Sequence, residues 1–136
     1  MTKWKVTTRL VENTRSIADN GRGHGITLDL PVAQGGNDEG PTALELALMS
    51  LAGCAVTIYA DIAKRSKVPI SKLVAEVEAE KSSSSPIAIS LKMNVHGKAS
   101  KNMLEAMWRK TEVLCPVVSI FAEATPVKVQ LETASE

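Results

Sequence analysis

Residues 41–69 read PTALELALMSLAGCAVTIYADIAKRSKVP, and the fold turns on this stretch. Thr42 followed by Glu45 fits a capping box, in which each side chain satisfies the other residue's free backbone N–H. Lys64, Arg65 and Lys67 gather at the far end, where positive charge suits the negative pole of a helix dipole. Pro69 disfavours a helical conformation at Val68 and so predicts the stop. Apolar residues cover nearly every side in between, the pattern of a helix buried inside a soluble protein. A helix of about 25 residues is roughly 37 Å long, enough for a bilayer. Glu45, Asp61, Lys64 and Arg65, however, leave no uncharged run that reads as a membrane span. Cys54 lies near the middle of the stretch.

Working outward, the 136 residues read as one domain, 1–136, large enough for a core without disulfide staples. Hydrophobic residues make up 44% and charged residues 23%, ordinary globular values. Aromatics are only 3%, so the core must be built from Val, Ile, Leu, Ala and Met. A net charge of +1 gives no reason to expect nucleic acid or an anionic membrane as partner. The opening MTKWKVTTRL alternates polar and apolar residues and forms no signal-peptide core. Two cysteines in a chain this long make no disulfide scaffold, and a reducing cytoplasm is the expected location.

Upstream of the central stretch, Trp4, Val6, Thr8 and Leu10 alternate with polar residues, the period of a half-buried strand. Residues 12–25 read as turn or exposed loop, with DNGRGHG placing three glycines around Arg22. Ile26, Leu28 and Leu30 mark another strand, and PVAQGGNDEG (31–40) is the loop leading to the helix. Downstream, Ala75, Val77 and Ala79 form one alternating run, and Ile87, Ile89, Leu91, Met93 and Val95 a second. KSSSSP (81–86) between them is the turn of an antiparallel hairpin. Ser100 is an N-cap for a second helix with Leu104, Met107, Trp108 and Thr111 on one side. Cys115 precedes Pro116, which is favoured at the first position of a helix, so a short helix through Phe121 is expected. Val127, Val129 and Leu131 predict a last strand. The class is α+β, with antiparallel sheet packed on helices.

Two thiols and one cation stand out. Cys54 shares a helical stripe with Ser50, Thr57 and Asp61, the most polar stripe of the long helix, and so is expected to face a cleft. Against this, its neighbours Leu51 to Val56 are those of a small thiol packed as filler. Cys115 at a helix start would see free N–H groups and the positive dipole end, which lower thiol pKa. It is equally a small capping residue before proline. Arg22 is a guanidinium able to offset the raised pKa of a thiol among apolar groups, with Arg15 as the alternative. An arginine in a polar loop is otherwise simply solvated. There is no CxxC, His24 and His96 have no metal-ligand spacing, and GRGHG lacks the GK[ST] of a phosphate loop.

The segments GGNDEGPTALELALMSLAGC, ending on Cys54, and LCPVVSIF, containing Cys115, together with GRGHGITLDLP, resemble the OsmC/Ohr family of osmotically inducible and organic hydroperoxide resistance proteins. The matches cover most of the chain. The resemblance implies an intertwined homodimer in which antiparallel sheets wrap long central helices. It further implies that Cys54 attacks a hydroperoxide and becomes a sulfenic acid, and that Cys115 resolves it as a disulfide. An external dithiol, often lipoyl-linked, then reduces that bridge, and no bound cofactor or metal is needed. Arg22 corresponds to the loop arginine that activates the thiol. The peroxidase branch carries Pro-Glu before the helix, where this chain has Ala43-Leu44. Glu45 instead lies about half a turn from Cys54. Two functions follow as expectations: a thiol-dependent peroxidase acting on organic hydroperoxides, or a non-catalytic OsmC-like dimer binding a small apolar or thiol-bearing ligand. A structural dimer whose cysteines only pack is the third.

Overall fold

The capping box is closed in both directions: the Thr42 N–H donates to Glu45 Oε1 at 3.0 Å, and the Glu45 N–H to Thr42 Oγ1 at 3.1 Å. From it runs α1, Ala43–Arg65. The computed structural model describes residues 1–83 and 85–135, with the backbone alone for 85–87. α1 stops before Pro69 is reached. Lys67 takes a left-handed conformation (φ 56°), its N–H donates to the Lys64 carbonyl, and the Val68 N–H donates to the Ala63 carbonyl. That pair of bonds is a Schellman motif, built on lysine where glycine is usual.

By length and composition α1 is apolar enough to cross a membrane, so its charges alone do not exclude that role as expected from the sequence. In the second unit it contributes Tyr59, Ile62 and Ala63 to the core. Leu51, Ala55, Tyr59, Ile62 and Ala63 form one buried stripe. The helix is therefore not buried all round; Met49, for one, is 54% exposed.

Two compact units divide the chain: Met1–Ser50 with Glu78–Ala88, and Leu51–Val77 with Ile89–Glu136. The first holds an antiparallel sheet in the order β1 (Thr7–Glu12), β2 (Arg15–Asp19), β3 (Gly25–Leu28). Trp4, expected to begin the first strand, lies outside it and is 85% exposed. β2 falls where loop was expected. Its apolar pattern is weak, but Asn13 at φ 53° makes the tight turn that folds β2 back on β1. The DNGRGHG segment turns as expected, with Gly21 and Gly23 at positive φ.

Buried Asp29 ties the loop after β3. Thr14 Oγ1 donates to it at 2.7 Å, as do the backbone N–H groups of Leu30, Asn37 and Glu39. The Thr14 hydroxyl and these N–H groups, outweighing burial, hold its carboxyl down at about 2. Gly36 and Gly40 seat the same loop so closely that a Cβ would collide with the Leu30 and Thr27 carbonyls respectively.

In the second unit, Tyr59, Ile62 and Ala63 of α1 pack on Met107 of α2 (Lys101–Leu114). Val68, Ile70, Leu73, Met93, Val95 and Trp108 close around them. The Tyr59 hydroxyl donates to the Leu104 carbonyl at 2.9 Å. Ser100 caps α2 as expected, accepting from the Met103 N–H at 3.1 Å. The expected hairpin is β4 (Ile70–Ser82) with β5 (Ser85–Gly97), longer than the alternating runs, and its Glu78–Ala88 portion belongs to the first unit. Ser84, in its KSSSSP turn, is outside the described residues.

The expected last strand is absent: residues 125–135 have no regular structure, and Val127, Val129 and Leu131 are more than 80% exposed. An alternating pattern becomes a strand only when a neighbouring edge accepts its hydrogen bonds, and this segment pairs with none in the described chain. The remaining architecture is α+β, as the sequence implied.

Candidate functional site

α3 (Pro116–Ala122) starts directly after α2, and Cys115 is both the last cap of one and the first of the other. Its N–H donates to the Thr111 carbonyl at 2.9 Å and its carbonyl accepts from the Ser119 N–H at 3.3 Å. Its thiol makes no capping bond to α3. It points instead at α1, where Cys115 Sγ lies 2.7 Å from Cys54 Sγ. Both cysteines are free thiols.

The two sulfurs are unequally placed. Cys115 is fully buried, while Cys54 is half-buried. Ser50, Thr57 and Asp61, which share the Cys54 stripe of α1, are exposed. Asp61 is engaged by Arg65 at 2.9 Å one turn further on.

Burial pushes the Cys54 thiol above its ordinary range, and the Cys115 thiol pushes it further through its hydrogen bond and its charge. One donor opposes them: the backbone N–H of Val117 reaches Cys54 and favours its thiolate. Pro116 has no N–H, so Val117 supplies the first free amide of α3. The start of α3 thus serves the thiol of α1, whereas the sequence had associated it with Cys115. The Cys-Pro pair was the available signal, because it fixes which amide comes free.

Arg22 is at the tip of the β2–β3 turn in the first unit, exposed, with its N–H held by Asn20 Oδ1 at 2.9 Å. Both thiols belong to the second unit. Arg15, the alternative cation, pairs with Glu12 at 3.3 Å. Glu45 is engaged by Thr42, whose N–H and hydroxyl hold its carboxyl below the usual range. Among the described residues no group of three or more His, Cys, Asp or Glu side chains is arranged to hold a metal.

Chemically, a half-exposed thiol with one N–H donor and a buried second thiol in contact can accept an electrophile at the first sulfur and be relieved by the second. Loss of two protons and two electrons joins them as a disulfide. A thiol-bearing ligand could exchange into such a bridge.

A comparison with known structures finds the same architecture. An OsmC-like protein from Mycoplasma pneumoniae superposes with a TM-score of 0.79 at 22% identity, covering 90% of this chain and 89% of that one. An organic hydroperoxide resistance protein from Legionella pneumophila, also described as a redox protein and regulator of sulfide bond formation, gives 0.59 at 16% identity, covering 89% and 90%. A candidate organic hydroperoxide resistance protein from Vibrio cholerae, with captopril bound in one of its active sites, gives 0.64 at 15% identity, covering 91% and 87%. At these identities the likeness is one of fold. No curated protein matches the chain. The family model described as OsmC-like protein matches residues 35–130, a span that includes both cysteines, and the chain belongs to that family.

Proposed function

We propose that the protein is a thiol-dependent peroxidase that reduces hydroperoxides, organic ones by preference, in defence against oxidative or osmotic stress. The observation that carries this reading is the contact of Cys54 Sγ with Cys115 Sγ at 2.7 Å. Cys54 as thiolate attacks the terminal peroxide oxygen; an S–O bond forms, the O–O bond breaks, and the alcohol leaves with a proton. Cys115 then attacks the sulfenic sulfur; the S–S bond forms and water departs. An external dithiol of the lipoyl type takes the bridge back to two thiols by exchange. Arg22, or a cation from a partner subunit, stabilises the thiolate that burial disfavours.

The reading includes a homodimer working in a reducing cytoplasm. α1 buries only one stripe, and Val113, Leu114 and Ile120 of the same unit are more than half exposed, apolar surface that a second copy would cover. The likeness to hydroperoxide resistance proteins supports the chemistry.

Titration of the reduced protein with cumene hydroperoxide and with hydrogen peroxide, followed by thiol counting, tests the cycle. Both thiols disappear together in the wild type, and Cys54→Ser keeps its Cys115 thiol. Survival of both wild-type thiols in a modest excess of both oxidants overturns the reading.

One observation favours a second reading, a binder of small apolar or thiol-bearing ligands. The Cys54 thiol is pushed up by burial and by Cys115, which suits ligand contact better than attack. The Vibrio cholerae neighbour holds captopril, a small thiol. Such a ligand would shield Cys54 from alkylation without any peroxide being consumed.

A further inference from the structure

The connection between β2 and β3 reads Asn20-Gly21-Arg22-Gly23-His24. Gly21 and Gly23 take positive φ (73° and 90°), and the chain turns tightly enough for the Asn20 N–H to donate to the His24 carbonyl at 3.2 Å. Within that turn Asn20 Oδ1 accepts from the Arg22 N–H at 2.9 Å and from the His24 N–H at 3.3 Å. The other end of the same amide, Nδ2, meets His24 Nδ1 at 3.0 Å. We infer that this last contact is an acid-operated latch: neutral His24 holds closed the turn that carries Arg22, and protonation at Nδ1 releases it.

Donor and acceptor chemistry fixes the two states. An amide NH2 only donates, and an amide oxygen only accepts. Two backbone N–H groups already claim Asn20 Oδ1, so the amide cannot turn over without abandoning both, and Nδ2 faces the ring as a donor. His24 Nδ1 is then the bare acceptor, and Nε2 carries the ring proton. A proton added at Nδ1 sets two donors against each other across 3.0 Å. The ring regains an acceptor by swinging out to water or by forcing the amide to rotate, which strips the Arg22 and His24 N–H groups of their partner. Both routes loosen the turn. His24 borders an apolar hollow of about 240 Å³ with Val6, Ala18 of β2, Ile26 of β3 and Leu46 of α1. Among the described residues Asp19 is the only other titratable group lining it, held by Arg9 at 3.7 Å and by the Gly21 N–H at 3.0 Å. Arg22 is the charged neighbour within the turn. The consequence for catalysis rests on the peroxidase reading: in acid the latch lets go of the cation assigned to the Cys54 thiolate.

Nuclear magnetic resonance on the isotope-labelled, reduced protein tests this without peroxide. At about pH 8 the His24 ring should carry its proton on Nε2 and none on Nδ1. Between there and about pH 5 the protection of the Arg22 amide against exchange, corrected for the intrinsic effect of pH, should fall roughly fivefold, the weight of one hydrogen bond. His24→Ala should abolish that dependence, and His96→Ala, at the other histidine, should leave it as in the wild type. Asn20→Asp should reverse its sign, because a carboxylate still accepts from both backbone N–H groups but now needs a proton on Nδ1. A neutral ring protonated at Nδ1, an Arg22 amide indifferent to pH, or a fall that survives His24→Ala overturns the inference. So does Asn20→Asp with the sign of the wild type. The two readings fail separately: thiols that survive peroxide beside a responsive Arg22 amide remove the peroxidase and keep the latch, while a working thiol cycle beside an indifferent amide removes the latch alone.

Discussion

Cys115 Sγ and Cys54 Sγ lie 2.7 Å apart, the first fully buried and the second half-buried. The buried sulfur is thus both the neighbour that keeps Cys54 protonated and the group placed to relieve it after oxidation. Removing Cys115 separates these roles. In Cys115→Ala, the pH midpoint for alkylation of Cys54 falls, because a hydrogen bond and a charge that raise it are gone while the Val117 N–H remains. Iodoacetamide kinetics against pH measure this. An unchanged midpoint means that burial alone sets the thiol, and a higher one that Cys115 favours the Cys54 thiolate.

If Arg22 activates that thiol, Arg22→Ala slows peroxide consumption by roughly a hundredfold, the usual cost of one lost charge-stabilising donor. Stopped-flow measurement of Cys54 oxidation reads it directly, with Arg15→Ala as the control. Equal rates in Arg22→Ala and wild type would assign activation elsewhere.

The end of α1 gives a stability test that leaves the thiols untouched. Lys67 carries a left-handed backbone that costs a non-glycine residue about 1–2 kcal/mol. Lys67→Gly recovers most of that and loses part to chain entropy, for a net gain of about 0.5–1 kcal/mol. The melting temperature should rise by a few degrees; a fall would mean that the lysine makes a compensating contact.

In the second unit, Met107 is 1% exposed and touches the α1 stripe. Met107→Ala should destabilise by about 2–5 kcal/mol, as buried large-to-small changes do. Tyr59→Phe removes only one hydrogen bond, to Leu104, and costs about 1 kcal/mol. Urea unfolding ranks the two, and a reversed order would displace Met107 from the centre of the core.

Acid should loosen the first unit through Asp29. Its folded carboxyl titrates near 2, below the ordinary 3.8. The stabilisation is therefore fully present above the ordinary value and is lost as pH falls from there through about 2. Asp29→Asn should lower stability at neutral pH and flatten this acid limb. A mutant curve parallel to wild type down to the lowest pH would show that other carboxylates carry the transition.

What the sequence revealed was mostly what is local. The Thr42–Glu45 box, the Ser100 cap and the Cys115-Pro116 break each depend on neighbours within a few residues, and each stands where the pattern placed it. β2 was hidden because Arg15–Asp19 has little apolar alternation, and its strand character comes from the turn at Asn13. The segment containing Val127, Val129 and Leu131 failed in the opposite way, with the pattern of a strand but no edge to join. The approach of Cys54 to Cys115 was implied by family likeness alone; no spacing rule brings α1 and the α2–α3 junction together. Asp29 looked like the wet side of a strand because its four donors come from residues scattered between 14 and 39.

Surface loops are ordinarily where a chain accepts extra residues during evolution. Residues 30–40 should behave otherwise. The N–H groups at Asn37 and Glu39 are fixed to one carboxylate, and two glycines admit no side chain. One added residue would shift all four anchors out of register at once. In a library of insertions and deletions, this connection should be as intolerant as the interior of a helix, with its length held as closely as its composition.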